Sequence, residues 1–188
     1  SPLAQLTQLG TLGLSHNKLT DVSPLAQLTR LKDLNLESNQ ITDVGALAEL
    51  TQLKKLRLYG NRLTDLGPLA KLTQLEHLHL TGNQITDPSA LMKLTKLNTL
   101  ILSGTNQFTD LSALAGLTQL KKLYLSNNQL TDLSALADTR ELPALLERAA
   151  DLMNASGLIV WVVDSTGHAL RPAIGHGYPP QALARIGS

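Results

Sequence analysis

The apolar positions of this chain return every 22 residues. Leu6, Leu9, Leu12, Leu14, Leu19 and Leu25, with Asn17 among them, recur as Leu28, Leu31, Leu34, Leu36, Ile41 and Leu47 with Asn39, and the register holds to Asp138. A strict period of this length predicts a stack of short units, none of which can bury its apolar face alone. Within each unit a Leu-x-Leu tripeptide such as Leu34-Asn35-Leu36 alternates as a strand does, sending both leucines inward and the residues around them outward. Stacked units then form a parallel sheet. The leucines that open each unit (Leu28, Leu50, Leu72, Leu94, Leu117) and those later in it (Leu47, Leu69, Leu91, Leu114, Leu136) supply the opposite wall of the same core. The expected fold class is therefore an α/β solenoid with a parallel sheet on its concave face.

The polar positions are periodic too. Asn17, Asn39, Asn61, Asn83, Asn106 and Asn128 stand where the chain leaves each strand. An amide both donates and accepts, so each is expected to satisfy loop backbone groups that stacking would otherwise bury unpaired. The Thr-Asp pairs from Thr20-Asp21 to Thr131-Asp132 precede Ser/Gly/Pro-x-Leu segments and read as turn or cap residues for a short helical turn on the convex side. One unit is longer: Asn83 and Asn106 are 23 apart, Thr105 being the added residue, which predicts a bulge after the fifth strand. Phe108 takes the following core slot, and Pro88 a slot otherwise held by Val or Leu.

Packing dictates the leucines, so information about a binding partner should reside in the outward columns. Before the first strand leucine run Thr11, Asp33, Lys55, His77, Thr99 and Lys122; between the leucines Gly13, Asn35, Arg57, His79, Ile101 and Tyr124; after them Ser15, Glu37, Tyr59, Thr81, Ser103 and Ser126. Arg and Tyr anchor many protein interfaces, since they join broad contact area to directed polar groups. The candidate partner-binding residues are Lys55, Arg57, Tyr59, His77, His79, Ile101, Lys122 and Tyr124. His77 and His79 are also the pair that a metal would use, but the cationic Lys55 and Arg57 beside them and the lack of a third ligand oppose it. No metal site is expected.

The register fails after Asp138. A further unit requires Leu at 139 and 147 and Asn at 150, where the chain has Thr139, Glu147 and Ala150. Lysine also stops at Lys122, and the remaining cations are Arg140, Arg148, Arg171 and Arg185. Residues 1–138 thus read as the solenoid, a truncated first repeat plus six, and residues 139–188 as a second segment. In it Leu142, Leu145, Leu146, Ala149, Leu152 and Met153 share a helical stripe, with Thr139 as N-cap, Pro143 in the first turn and Gly157 as stop. Leu158 to Val163 is a β-rich run, Asp164-Ser165-Thr166-Gly167 is turn chemistry, and Ala169 to Gly177 is a second strand in which Pro172 signals an edge or bulge. Pro179-Pro180-Gln181 opens another helix. Because a lone hairpin is only marginally stable, the helix at 140–154 is expected to dock on the last repeat and cover its leucines.

Composition narrows the functional classes. The 188 residues are 43% apolar and 16% charged, which suits a folded chain, and 3% aromatic, which suits a leucine core. With 16 basic and 15 acidic residues no overall field draws nucleic acid or an anionic membrane. The absence of cysteine excludes disulfides, thiolate metal sites and a thiol nucleophile. The longest apolar run, Leu158 to Val163, is far below the roughly 20 residues that span a bilayer. No catalytic triad, phosphate loop or paired carboxylate emerges, so neither enzyme activity nor a cofactor is expected. Ser1-Pro2-Leu3-Ala4-Gln5 matches Ser23 to Gln27, so the chain begins in mid-repeat and reads as an excerpt of a longer protein.

The phrases Leu31 to Val44 and Leu53 to Leu66 resemble the 22-residue leucine-rich repeats of bacterial internalins and of protein phosphatase 1 regulatory subunits. That resemblance covers Ser1 to about Asp138 and implies a curved protein-binding module whose ligand changes from member to member. Leu142 to Ala150, Gly157 to Asp164 and Arg171 to Pro179 resemble the opening of a GAF domain, a small-molecule sensing module of bacterial signalling proteins. The later strands and helices that build that family's pocket have no counterpart here, so no ligand residue is carried over and no small-molecule ligand is expected in this form. The leading expectation is a non-catalytic interaction module of a larger, bacterial signalling protein, binding a protein partner. The alternative is a fragment of a GAF sensor whose repeats act as a spacer. The sensor-like tail favours the cytoplasm.

Overall fold

A computed structural model describes residues 2–104, 107, 111–128, 130, 158–163 and 170–176. The chain divides into two compact units, Ser1–Leu136 and Ala137–Ser188. Among the described residues the first contains six short strands: β1 (Thr11–Gly13), β2 (Asp33–Asn35), β3 (Lys55–Arg57), β4 (His77–His79), β5 (Thr99–Ile101) and β6 (Lys122–Tyr124). They lie in chain order in one sheet, and every neighbouring pair is parallel. Between strands the chain returns through 3-10 turns at Ser23–Leu25, Gly45–Glu49, Gly67–Lys71, Ser89–Lys93 and Ser112–Leu114, after a first one at Pro2–Gln5. The expected helical turns are therefore of the tighter 3-10 kind, which suits segments of three to five residues.

Leucines from both walls meet in one core. Leu34, Leu36, Leu58, Leu80 and Leu102 from the strand side and Leu28, Leu50, Leu72 and Leu94 from the return side are fully buried. Each contributes about 1.5–3 kcal/mol of burial, so a repeat owes its stability to the neighbours that cover it. Leu9, Leu12 and Leu14 in the first repeat and Leu123 and Leu125 in the last described one are only partly buried. Pro88 sits buried in the Val/Leu slot with φ −86°, close to the −113° of Val22, so proline meets the backbone requirement there.

The asparagines stitch successive repeats. Asn61 donates from Nδ2 to the carbonyls of Leu36 and Leu58, both at 3.0 Å, and its Oδ1 accepts the Ile41 N–H at 3.0 Å. Asn39 and Asn83 make the same bonds one repeat before and after. One buried side chain thus satisfies backbone groups of two repeats at once. The aspartates make Asx turns: Oδ1 of Asp21, Asp43, Asp65 and Asp87 accepts the backbone N–H two residues on, at 2.7–2.8 Å. They hold the turn without being its N-cap, since that position belongs to Val22, Val44, Leu66 and Pro88, which enter the core.

The longer repeat keeps the sheet in register, with Thr99 opposite Lys122 and Ile101 opposite Tyr124. At its described edge the Gly82 N–H is shared between the carbonyls of Ser103 and Gly104, at 3.3 and 3.2 Å, whereas the Gly60 N–H has one such partner, Thr81. The bulge expected at Thr105, Asn106 and the Phe108 core slot lie outside the described residues.

In the second unit, β7 (Leu158–Val163) and β8 (Leu170–His176) form an antiparallel hairpin. Val160 pairs Ile174 while Trp161 pairs Pro172, so Ala173 is the extra residue of a bulge beside the proline, which has no N–H for the ladder. The expected helix at 140–154, its docking on the last repeat and the helical start at Pro179 lie outside the described residues. Among the described residues no helix is long and apolar enough to cross a membrane.

Candidate functional site

The strand register assembles the outward columns as the repeat implies. Asp33, Lys55, His77, Thr99 and Lys122 lie side by side across β2 to β6, and Asn35, Arg57, His79, Ile101 and Tyr124 form the next row. All eight candidate partner-binding residues are on this face. Lys55, Tyr59 and Lys122 are exposed, whereas Arg57, His77, His79, Ile101 and Tyr124 are half-buried among their neighbours.

Over β3 the side chains are tied to one another. Arg57 Nη1 donates to Asp33 Oδ1 at 3.0 Å. His79 Nδ1 lies 3.4 Å from Glu37 Oε1, a contact that passes from β4 over β3 to the end of β2. The Tyr59 ring stacks on the His79 ring with centroids 5.5 Å apart and planes 12° from parallel. Asn35 completes the cluster, accepting the Glu37 N–H at 2.9 Å and donating Nδ2 to Glu37 Oε2 at 3.2 Å. Burial lowers the His79 pKa below the usual 6.5 even though Glu37 raises it and hydrogen-bonds to it; Arg57 adds to the lowering. Burial thus favours the uncharged ring, whose Nδ1 faces Glu37.

Toward β6 the face is less self-satisfied. Lys55 and Lys122 have no ion pair with a described residue. His77 stands beside Lys55 in the register, and its pKa is lowered by burial first and by Lys55, Arg57 and Lys122 after it, Glu76 acting in the opposite sense. Ile101 and Tyr124 form an apolar flank one row over. Next to it the Ser126 hydroxyl donates to Ser103 Oγ at 3.0 Å.

Sequence reasoning placed Asp33, Asn35 and Glu37 on this face but left them out of the candidate set, though they orient Arg57 and His79. The signal was available in the columns themselves, where an acidic pair faces a basic pair one or two strands away. A second feature went unnoticed: the residue after the third column has positive φ in every described repeat, at His16, Ser38, Gly60, Gly82, Gly104 and Asn127. The chain turns out of each strand there, and glycine takes that conformation without strain. Among the described residues no group of three or more His, Cys, Asp or Glu gathers as a metal site.

A leucine-rich repeat family model, in two-copy units, matches residues 7–49, 51–91, 73–116 and 95–138. The chain belongs to the leucine-rich repeat family. Among solved structures, this leucine-rich repeat chain is similar to an internalin, InlF, of Listeria monocytogenes, at 39% identity and TM-score 0.71 over 77% of this chain and 42% of that one. It is also similar to internalin C2 of the same organism, at 36% identity and TM-score 0.63, covering 76% of this chain and 71% of that one. A third match is the leucine-rich repeat ectodomain of the plant receptor kinase GASSHO1/SCHENGEN3 of Arabidopsis thaliana, solved in complex with CASPARIAN STRIP INTEGRITY FACTOR 2. Identity there is 30% and TM-score 0.64, covering 73% of this chain and 18% of that one. The chain thus spans less than half the length of two of these three structures. No curated protein sequence matches. Leucine-rich repeat proteins generally mediate protein–protein interaction, and the fold is typically a non-catalytic module. The matched residues end at 138, so the GAF-like reading of the tail gains no support from them.

Proposed function

We propose that this leucine-rich repeat chain is a non-catalytic interaction module of a larger signalling protein and grips a protein partner with its sheet face. One observation carries the reading: the register gathers Arg57, His79, Ile101 and Tyr124 in one row and brings Tyr59 onto His79, an arginine-and-aromatic cluster of the composition that anchors protein interfaces. The side chains are pre-set by Asp33 and Glu37, so a partner spends little entropy ordering them. The signalling context rests on the resemblance of the tail, of which the hairpin β7–β8 is the part described. The test uses the chain as bait in bacterial lysate beside a variant carrying Arg57→Ala, Tyr59→Ala and His79→Ala. A protein retained by the parent and lost by an equally folded variant supports the proposal; equal retention by both refutes it.

A further inference from the structure

We infer that the partner segment seated on this face is an extended, acidic stretch of polypeptide whose carboxylates, four residues apart, reach Lys55 and Lys122. The inference rests on the binding reading above and adds the chemistry of what is bound.

Charge on the face is divided unevenly. The two acidic groups, Asp33 and Glu37, are already engaged by Arg57 and His79. Lys55 and Lys122 are exposed, without an ion pair among the described residues, and between them stand His77 and Thr99. The row that remains is cationic and faces solvent. Burial first, then Lys55, Arg57 and Lys122, disfavour a positive charge on His77, with Glu76 acting in the opposite sense. A carboxylate placed over this row is attracted by both lysines, and a cation is repelled by them.

Spacing selects the form of the ligand. Lys55 and Lys122 are three strand steps apart in the register, which at about 4.8 Å a step is about 14 Å. An extended chain advances about 3.3 Å per residue and repeats its facing every second one, so residues i and i+4 lie about 13 Å apart on the same side. An α-helix reaches that span only with residues about nine apart, so carboxylates four residues apart mark an extended ligand. Residue i+2 of the extended chain falls over His77 and Thr99, and Ile101 and Tyr124 border the Lys122 end with apolar surface. A nucleic acid strand needs a continuous cationic track, which two lysines with a half-buried histidine and a threonine between them do not provide.

The experiment is selection of random unstructured peptides by display on the full chain, followed by fluorescence anisotropy of the selected sequences as synthetic peptides. Expected are peptides with Asp or Glu at i and i+4, binding about tenfold more tightly than their Asn/Gln counterparts. Lys55→Glu with Lys122→Glu should abolish that binding without shifting the melt, since both side chains are exposed, and a peptide with lysines at i and i+4 should bind the variant instead. Acidic peptides captured without regard to spacing would overturn the inference. So would neutral or basic peptides whose binding is lost in the Arg57/Tyr59/His79 alanine variant, which would leave the sheet face as a binding site for another kind of partner. If no selected peptide depends on either set of residues, both the inference and the binding reading fall.

Discussion

The two sides of the same strands obey different rules. On the inward side Leu34, Leu56, Leu78 and Leu100 succeed one another at the same height and are all buried to within 1% of complete. On the outward side, one residue earlier, Asp33, Lys55, His77 and Thr99 change charge and size at every step. Identity inside is required because each repeat fills the gap left by its neighbour; variety outside is permitted because solvent accepts any polar side chain. Stability should therefore respond to the repeated residues and binding to the unrepeated ones, and substitutions can break or sharpen that division.

The largest effect is expected inside the central stack. Leu78→Ala removes a fully buried side chain with a neighbouring repeat on each side, and should cost about 3 kcal/mol in urea unfolding. Leu12→Ala, in the first and only partly covered repeat, should cost clearly less. Equal losses would mean that neighbour packing is not what holds the units together.

Next comes the asparagine column. Asn61→Ala leaves the Ile41 N–H and the Leu36 and Leu58 carbonyls without this partner in a buried place, and should cost about 2 kcal/mol. A change below a few tenths would show that water replaces the amide. Gly60→Ala, at φ +64°, should cost about 1 kcal/mol from backbone strain, with Ser38→Gly, at φ +53°, moving in the opposite direction.

The smallest effect is in pH. His77 and His79 both have folded pKa values below the usual 6.5, so the folded chain binds fewer protons than the unfolded one just under that value. Stability should be at its full value above 6.5, fall as pH drops through it toward the folded values, and then level off. Thermal melts of a His77→Gln, His79→Gln variant should lack that decline; an unchanged pH profile would assign it to other groups.

What was legible beforehand follows from the same division. Periodicity reveals whatever must repeat, so the parallel sheet, both leucine walls and the asparagine column could be read from Leu6 to Asn128 before any coordinates. The Asx turns of Asp21 and its successors were foreseen as turn chemistry opening a short helical turn, but the 3-10 kind of that turn was not, because one short turn carries no helical period. The left-handed column escaped notice because His16, Ser38, Gly60 and Asn127 share a backbone angle and no side-chain property. The columns put Glu37 two strands from His79, but that the two meet depends on side-chain lean, which strand alternation does not specify.

The most direct test sets one substitution from each side against the other. Leu78→Ala and the triple Arg57→Ala, Tyr59→Ala, His79→Ala variant would each be melted and assayed for capture of the same protein partner at a temperature where both are folded. The account predicts that the leucine variant melts lower yet still captures the partner, while the triple variant melts like the parent and does not. A triple variant that captures as well as the parent would contradict it.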